Sequence, residues 1–171
     1  YIVLKKFLTN PAFCILAGVI ITLLFQSSSV SVAALQAFSL TGILPLESAV
    51  LLIVGQNIGT SNMSVISSHS ADKNARRVSF IHLFFNLTGG LLATAGVLIW
   101  VNTRGSGEQI QPVIANPLAI AAAHTGFNLI TSLILIPFSS KLEKFAVHVI
   151  KGENEKTEDE KKLFIDERLL E

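Results

Sequence analysis

The chain has 171 residues, half of them hydrophobic, with a mean hydropathy of +0.58 and a formal net charge of +1. This composition is too apolar for an ordinary soluble domain, typical of a membrane protein, and lacks the dense basic patch of a nucleic-acid-binding protein. The single cysteine, Cys14, excludes an intrachain disulfide and a cysteine-based metal site. We therefore expect an all-α membrane protein with no nucleic-acid partner.

The first apolar unit, residues 11–44, follows an interfacial lead-in at residues 1–10. Its middle carries four consecutive polar side chains, Gln26 to Ser29, and apolar residues lie on both sides of them. Each apolar arm is shorter than the ~20 helical residues that cross a bilayer. Two half-length helices joined at a polar tip predict a re-entrant hairpin, because irregular backbone at membrane depth requires protein or water around it.

The second unit, residues 46–68, is long enough to span but contains the polar and glycine-rich run Gly55–Asn62. We expect a broken helix here. The positive end of a half-helix suits an anion, whereas unwound carbonyls suit a small cation. Ser28 or Ser29 is the expected cap of the helix after the first break, with Thr60 and Ser61 in the same relation to the second.

Two full transmembrane helices are predicted at 78–101 and 117–138, before a cytoplasmic charged helical tail at 141–171. Lysine and arginine cluster before the first of these spans and after the second, which places both flanks in the cytoplasm, although Lys5 and Lys6 do not follow this rule. The chain begins without methionine and ends within a charged helical pattern, so we expect a piece of a longer protein. One motif recurs in both spans, a histidine and an asparagine four residues apart: His82 with Asn86, and His124 with Asn128.

Neither predicted break contains a charged side chain, although a doubly charged anion is costly to desolvate without a counter-charge. Bound cations would supply it, which favours cation-coupled anion symport. The polar run could instead join neighbouring helices. The histidines could carry protons or bond to adjacent helices. A catalytic serine is disfavoured because no acid lies in these spans, so we expect no enzyme.

Four segments occur in an order and spacing that resemble a known family. They are Gln26–Ser29, Gly55–Thr60, Asn74–Arg77 leading to His82–Asn86, and Ala123–Asn128. Over about residues 10 to 140 the chain resembles the sodium-dependent phosphate cotransporters, the type II Na/Pi symporters, in their bacterial branch. The resemblance implies the second of two inverted repeats, one half of a transporter, with the hairpin entering from outside and both termini cytoplasmic. The end of the tail, residues 162–170, is similar to the entry into a helical PhoU-like domain.

The resemblance also implies which side chains form the transport site. Phosphate would contact five hydroxyl groups, those of Ser27, Ser28, Ser29, Thr60 and Ser61. Sodium, the coupling ion, would be held by amide and hydroxyl oxygens of Gln26, Ser28, Asn57, Thr60 and Ser61. The repeated histidine–asparagine motif, and not the resemblance, adds His82, Asn86, His124 and Asn128 as supporting polar residues. We expect no cofactor and no metal other than sodium.

Two departures from the family's pattern concern this site. Met63 stands where a hydroxyl is expected, and Val30-Ser31 replaces the usual Ala-Thr. We expect sodium-coupled symport of inorganic phosphate by alternating access across the cell (inner) membrane, with the N-terminal repeat or a second copy completing the multi-pass transporter. The alternative, favoured by Met63 and the charged tail, is a non-transporting module that couples phosphate status to a cytoplasmic helical domain. An intramembrane hydrolase is a distant third.

Overall fold

A computed structural model describes residues 7–103 and 112–151. Within these ranges the regular structure is helical, apart from one isolated β-bridge between Pro45 and Ile114. Six α-helices lie wholly within the described residues: α1 Pro11–Phe25, α2 Ser28–Ser39, α3 Leu46–Ser67, α4 Lys73–Thr103, α5 Pro117–Leu135 and α6 Ser139–Val149. A 3₁₀ turn, Ile136–Phe138, joins the last two.

Helix length separates the elements into two classes. α3, α4 and the segment Pro117–Val149 are long and apolar enough to cross a membrane. α1 and α2 have 15 and 12 residues, which at ~1.5 Å per residue gives only about 22 and 18 Å. The predicted helical content is confirmed, and the predicted spans 78–101 and 117–138 fall within α4 and within the α5–turn segment.

Asparagine and proline fix where two of the helices begin. The Asn10 side chain accepts hydrogen bonds from the backbone N–H groups of Ala12 and Phe13, at 3.0 and 3.3 Å, and Pro11 is the first helical residue. Asn116 accepts from the Ala119 N–H at 2.8 Å, again followed by proline. Asparagine satisfies N–H groups that the first turn leaves unpaired, and proline there has no N–H to lose.

The chain leaves helical geometry between α1 and α2, at the polar run. Gln26 has a left-handed backbone with φ of 52°, and its N–H donates to the Thr22 carbonyl at 2.8 Å. Ser27 is extended, and its hydroxyl accepts from the Val30 N–H at 3.4 Å. The cap of α2 is therefore Ser27, and the expectation of Ser28 or Ser29 is wrong. Ser28 is already helical, because Ser27 is the last residue with extended geometry.

The predicted break in the second unit is wrong, because α3 continues as a helix from Leu46 to Ser67. The side chains of Asn57, Thr60 and Ser61 bond back to carbonyls of their own helix instead of capping a new helix. Thr60 Oγ1 donates to the Gln56 carbonyl at 2.9 Å, and Ser61 Oγ to the Ile58 carbonyl at 2.9 Å. Side chains that bond within their own helix lower the cost of polar groups in an apolar setting.

The glycines of this run serve close packing instead of a break. Gly55 and Gly18 face each other across the α1–α3 interface, where an added Cβ on Gly55 would meet the Ile15 carbonyl. An added Cβ on Gly18 would likewise meet the Leu52 carbonyl. Small residues that let two backbones approach are a common basis of helix association in membranes. α1 and α3 therefore pack with their backbones in contact.

Contacts along α3 show that α1 and α3 run in the same direction. The Ser48 hydroxyl, near the start of α3, donates to the Leu8 carbonyl at 2.8 Å. Farther along, an added Cβ on Gly59 would lie 2.9 Å from Cβ of Thr22. Residues near the beginning of α1 thus lie beside the beginning of α3, and the end of α1 lies beside the middle of α3.

Helix α2 returns towards the start of α3. Near its beginning, the Ser31 carbonyl accepts from Gln56 Nε2, and near its end Gln36 Nε2 donates to the Pro117 carbonyl at 3.0 Å. The following residues pair with the segment before α5, since the Ala115 N–H donates to the Leu44 carbonyl at 2.9 Å. The outer ends of α1 and α2 therefore lie together, and we call this region, with the starts of α3 and α5, the Pro45 end.

The opposite end of the bundle gathers basic side chains. α4 begins there at Lys73, and the Arg77 guanidinium donates from Nε and Nη2 to the Ile150 carbonyl just after α6, at 3.2 and 3.0 Å. Phe145 of α6 packs against the rings of Phe80 and Phe84, each centroid 5.7 Å away. We call this region the Arg77 end.

Parts of three predicted segments lie outside the described residues. They are residues 1–6 of the lead-in, residues 104–111 of the loop between the two spans, and residues 152–171 of the charged tail.

Candidate functional site

The polar break between α1 and α2 lies against the middle of α3. Gln56 Nε2 donates to the Ser31 carbonyl at 2.9 Å, and Thr22 packs on Gly59. Gln56 and Ser31 are fully buried, at 1% and 0% exposure. The two polar runs singled out in the sequence are thus neighbours in the fold.

The serines at the break present hydroxyl groups and free backbone donors together. Ser28 is half-buried and begins α2, whereas Gln26 and Ser29 are exposed in this chain. Ser27 is half-buried, and its carbonyl accepts from both the N–H and the hydroxyl of Ser31, at 3.0 and 2.8 Å. The first turn of any helix has N–H groups without helical partners, which makes it a favourable position for an anion.

The α3 residues predicted for the site have their donor groups occupied. Asn57 Nδ2 donates to the Ile53 carbonyl at 3.0 Å, and the hydroxyls of Thr60 and Ser61 donate to carbonyls one turn back. The oxygen atoms of these three side chains keep lone pairs that can accept a hydrogen bond or bind a cation. Oxygen acceptors suit a hard cation better than an anion.

Two buried oxygen atoms at this junction have no hydrogen-bond partner: Oε1 of Gln56 and Oγ1 of Thr22. Both residues are 1% exposed, and burying a polar atom without a partner is unfavourable. Neither residue was among the predicted site residues. Thr22 is the one polar residue in the apolar helix α1, one turn before Gln26, and that placement was the available signal.

The first His–Asn pair, on α4, faces α3. His82 Nδ1 lies 3.3 Å from the Ser64 hydroxyl, and Asn86 Nδ2 donates to the His82 carbonyl at 3.2 Å. Asn86 is 2% exposed, and its Oδ1 is a third buried oxygen without a partner. Asn86 lies beside α3 because α3 and α4 pack antiparallel, with Gly90 of α4 against Val54 of α3.

The second His–Asn pair, on α5, repeats the hydrogen bond from asparagine to the histidine carbonyl. In the described residues it does not repeat the hydrogen bond to α3 that His82 makes with Ser64. Asn128 Nδ2 donates to the His124 carbonyl at 2.9 Å, and both side chains are half-buried. Within residues 7–103 and 112–151, no hydrogen bond joins this pair to the serines or to the α3 run. The structure therefore brings His82 and Asn86 to α3 and leaves His124 and Asn128 apart.

The junction carries no formal charge. α1 and α2 contain no ionisable residue apart from Cys14, and the carboxylate of α3, Glu47, lies in its first turn at the Pro45 end. Among the described residues there is no group of three or more histidine, cysteine, aspartate or glutamate side chains that could hold a metal ion. The junction offers neutral oxygens and N–H groups to a ligand.

A comparison with protein families decides how this arrangement is classified. The profile described as Na+/Pi-cotransporter matches residues 2–131, which include both polar runs and both His–Asn pairs. The chain belongs to the Na+/Pi-cotransporter family. The resemblance seen in the sequence is thereby confirmed.

Curated relatives come from bacteria and mammals. The chain is 31% identical to the uncharacterized protein YqeW of Bacillus subtilis over 127 residues, 74% of this chain and 39% of YqeW. It is 26% identical over 142 residues to YjbB of Escherichia coli, provisionally described as an inorganic phosphate export protein, covering 82% of this chain and 25% of YjbB. Sodium-dependent phosphate transport protein 2C of Mus musculus is 34% identical over 111 residues, covering 63% and 16%.

The chain thus spans well under half the length of the curated relatives it matches. No solved structure matches it.

Proposed function

We propose that the protein containing this chain is a sodium-coupled symporter of inorganic phosphate that works by alternating access. The observation that carries the proposal is the junction of the α1–α2 break with the middle of α3, held by the Gln56–Ser31 hydrogen bond. It joins anion-binding donors to unpartnered oxygens at a junction that carries no formal charge. Membership of the family and the printed name of the mouse relative agree with phosphate as substrate and sodium as coupling ion.

Phosphate is proposed to bind at the start of α2. The hydroxyls of Ser27, Ser28 and Ser29 and the first N–H groups of that helix supply donors to its oxygens. Thr60 and Ser61 would contribute from α3 by turning their hydroxyls away from the helix carbonyls. Such neutral donors compensate only part of the cost of desolvating a doubly charged anion, so phosphate affinity depends on bound sodium.

Sodium is proposed to bind among the oxygen acceptors of α3 and the break. The predicted ligands were Gln26, Ser28, Asn57, Thr60 and Ser61. The buried Oε1 of Gln56 and Oγ1 of Thr22 are added, because each lacks a partner that a bound cation would provide. A neutral pocket that must hold both ions explains in physical terms why transport of one requires the other.

The membrane arrangement follows from the two ends of the bundle. α1 and α2 both reach the Pro45 end and are too short to cross, so we propose that they form a re-entrant hairpin. α3, α4 and α5 would cross. Lysines and arginines gather at the Arg77 end, which we place in the cytoplasm of the cell (inner) membrane, and the hairpin then enters from outside.

A further repeat is proposed to complete the site. Gln26 and Ser29 are exposed in this chain, and relatives are longer than the matched region. The N-terminal repeat of the same transporter, in inverted orientation, or a second copy would cover them. The charged tail beyond α6 would then lead towards a cytoplasmic PhoU-like domain.

Substitution of the proposed phosphate ligands tests the function. In the complete protein reconstituted in proteoliposomes, Ser28→Ala and Thr60→Val are expected to reduce sodium-driven uptake of labelled phosphate at least tenfold. Each removes a hydroxyl from the anion or cation shell, and a hydrogen bond to a charged group is worth about 1.5–3 kcal/mol. Uptake and efflux are both measured, because a symporter follows the combined gradients in either direction.

Two matched substitutions control for loss of a hydroxyl elsewhere. Ser70→Ala lies in an exposed turn and Thr125→Val on the exposed face of α5, and both are expected to retain wild-type flux. Wild-type flux in Ser28→Ala and Thr60→Val would contradict the site assignment. Phosphate flux that does not respond to the sodium gradient in the unmodified protein would contradict sodium coupling.

The second candidate is a non-transporting module that couples phosphate status to a cytoplasmic helical domain. It is favoured by Met63, which stands on α3 near the proposed site, and by the fixed attachment of α6 to α4 through Arg77 and the Ile150 carbonyl. Phosphate binding by the purified protein without gradient-driven flux in proteoliposomes would support this alternative over transport.

A further inference from the structure

An apolar groove of about 460 Å³ runs between α3, α4 and α5, on the side of α3 away from α1. Small residues form its floor: Gly89, Ala93 and Gly96 on α4, and Gly126 on α5. An added Cβ on Gly96 or Gly126 would meet no atom within 4 Å, so these two glycines leave open space, whereas an added Cβ on Gly89 would meet Thr131. Exposed side chains of Leu92 and Ile130 form part of its rim.

The groove has the length of one membrane leaflet. On α5 it is lined from Ala123 to Ile134, eleven positions apart, a rise of about 17 Å at ~1.5 Å per residue. A leaflet accounts for about half of the ~30 Å hydrocarbon core. A transmembrane helix would need the full thickness, whereas a single acyl chain needs only this distance.

One end of the groove is chemically different from the rest. Glu47, in the first turn of α3, and Trp100, near the end of α4, both line it at the Pro45 end. Among the residues that the structure describes, no lysine, arginine or histidine lines the groove, so the groove itself offers this carboxylate no counter-charge. The positive end of the α3 dipole favours a carboxylate there, and tryptophan is enriched at the membrane–water boundary.

We propose that this groove binds one phosphatidylethanolamine molecule from the leaflet at the Pro45 end. One acyl chain lies along the glycine floor, and the protonated amine of the headgroup donates to the Glu47 carboxylate. One acyl chain matches the groove in length, and the ammonium group of the zwitterionic headgroup supplies the positive charge opposite Glu47, while the phosphate stays at the membrane surface in water. The site is separate from the α1–α2 junction and does not depend on which ion the protein carries.

Photo-cross-linking tests the site in the complete protein. The probe is phosphatidylethanolamine with a diazirine on its acyl chain, incorporated into proteoliposomes, with labelled residues located by mass spectrometry. Labels are expected to concentrate on Leu92 and Ile130. Gly126→Leu or Gly96→Leu places a side chain in the groove at a position where its Cβ meets no atom within 4 Å, and should bring this labelling to background. Glu47→Gln should remove the preference for this probe over the matching phosphatidylglycerol probe.

The control Leu91→Phe enlarges a side chain that is 73% exposed on α4 and does not line the groove, so it should leave labelling unchanged. Two variants at different glycines are used so that misfolding of one still leaves the other to test the groove. Each is checked for a monodisperse profile in size-exclusion chromatography. Even labelling of all exposed apolar residues, or full labelling of a folded Gly126→Leu variant, would overturn the proposal. Cross-links between groove residues and another helix of the same transporter would also overturn it, because a protein helix would then occupy the groove.

Discussion

Replacing Gly55 by alanine is expected to destabilise the protein severely, although alanine normally favours a helix over glycine by about 1 kcal/mol. The added methyl group would meet the Ile15 carbonyl and lie 3.0 Å from Cα of Gly18. These are backbone atoms, which cannot rotate away as a side chain can, so α1 and α3 must separate. Overpacking of this kind costs about 1–3 kcal/mol or more. The measurement is thermal unfolding of the purified protein and its yield as a monodisperse species.

The same substitution at Gly96 provides the control and should have the opposite sign. An added Cβ there meets nothing within 4 Å, so Gly96→Ala keeps only the gain in helix propensity. Equal effects of Gly55→Ala and Gly96→Ala on the unfolding temperature would show that the α1–α3 contact is looser than described. The comparison separates packing from propensity, because both residues lie inside helices.

Under the proposed function, replacing Gln56 by leucine is expected to raise the sodium concentration needed for phosphate transport at least tenfold. Leucine has similar volume but removes the donor to the Ser31 carbonyl and the buried Oε1 proposed as a sodium ligand. Loss of one hydrogen bond to a charged group, about 1.5–3 kcal/mol, corresponds to a loss of tenfold or more in apparent sodium affinity. The measurement is phosphate uptake in proteoliposomes as a function of sodium concentration.

Gln36→Leu is the matched control. Gln36 also donates its Nε2 to a backbone carbonyl, that of Pro117, at 3.0 Å, but it does so at the Pro45 end. Both variants lose one hydrogen bond between segments, whereas only Gln56→Leu should change the sodium dependence. If the two variants shift the sodium response equally, Gln56 has a structural role only.

The half-length of the first two helices could be predicted from the sequence, because it depends on local signals. The sequence shows four consecutive polar side chains between two apolar arms that are too short to span the membrane. This pattern predicts where the chain turns back, and Gln26 and Ser27 have non-helical geometry there. The long apolar segments likewise became α4 and α5. Such features are encoded by neighbouring residues and need no knowledge of the fold.

The continuity of α3 could not be predicted in this way. In the sequence, Gly55 and Gly59 predict a helix break, because the sequence does not show that α1 lies against them. In the sequence, Thr60 and Ser61 predict helix caps, because the hydrogen bonds from their hydroxyls to carbonyls of their own helix are seen only in the structure. The role of Thr22 could not be predicted for the same reason, since a lone threonine in an apolar helix gains significance only beside Gln56.

Backbone contact between α1 and α3 also limits how the protein can change shape. Two helices whose backbones are in contact at Gly18 and Gly55 cannot slide past each other without separating, so we expect them to move as one rigid body. The backbone at Gln26 and Ser27, by contrast, is not helical and joins that body to α2. If phosphate binds at the start of α2 as proposed, opening of that position to one side of the membrane is expected to swing α2 about Gln26 and Ser27.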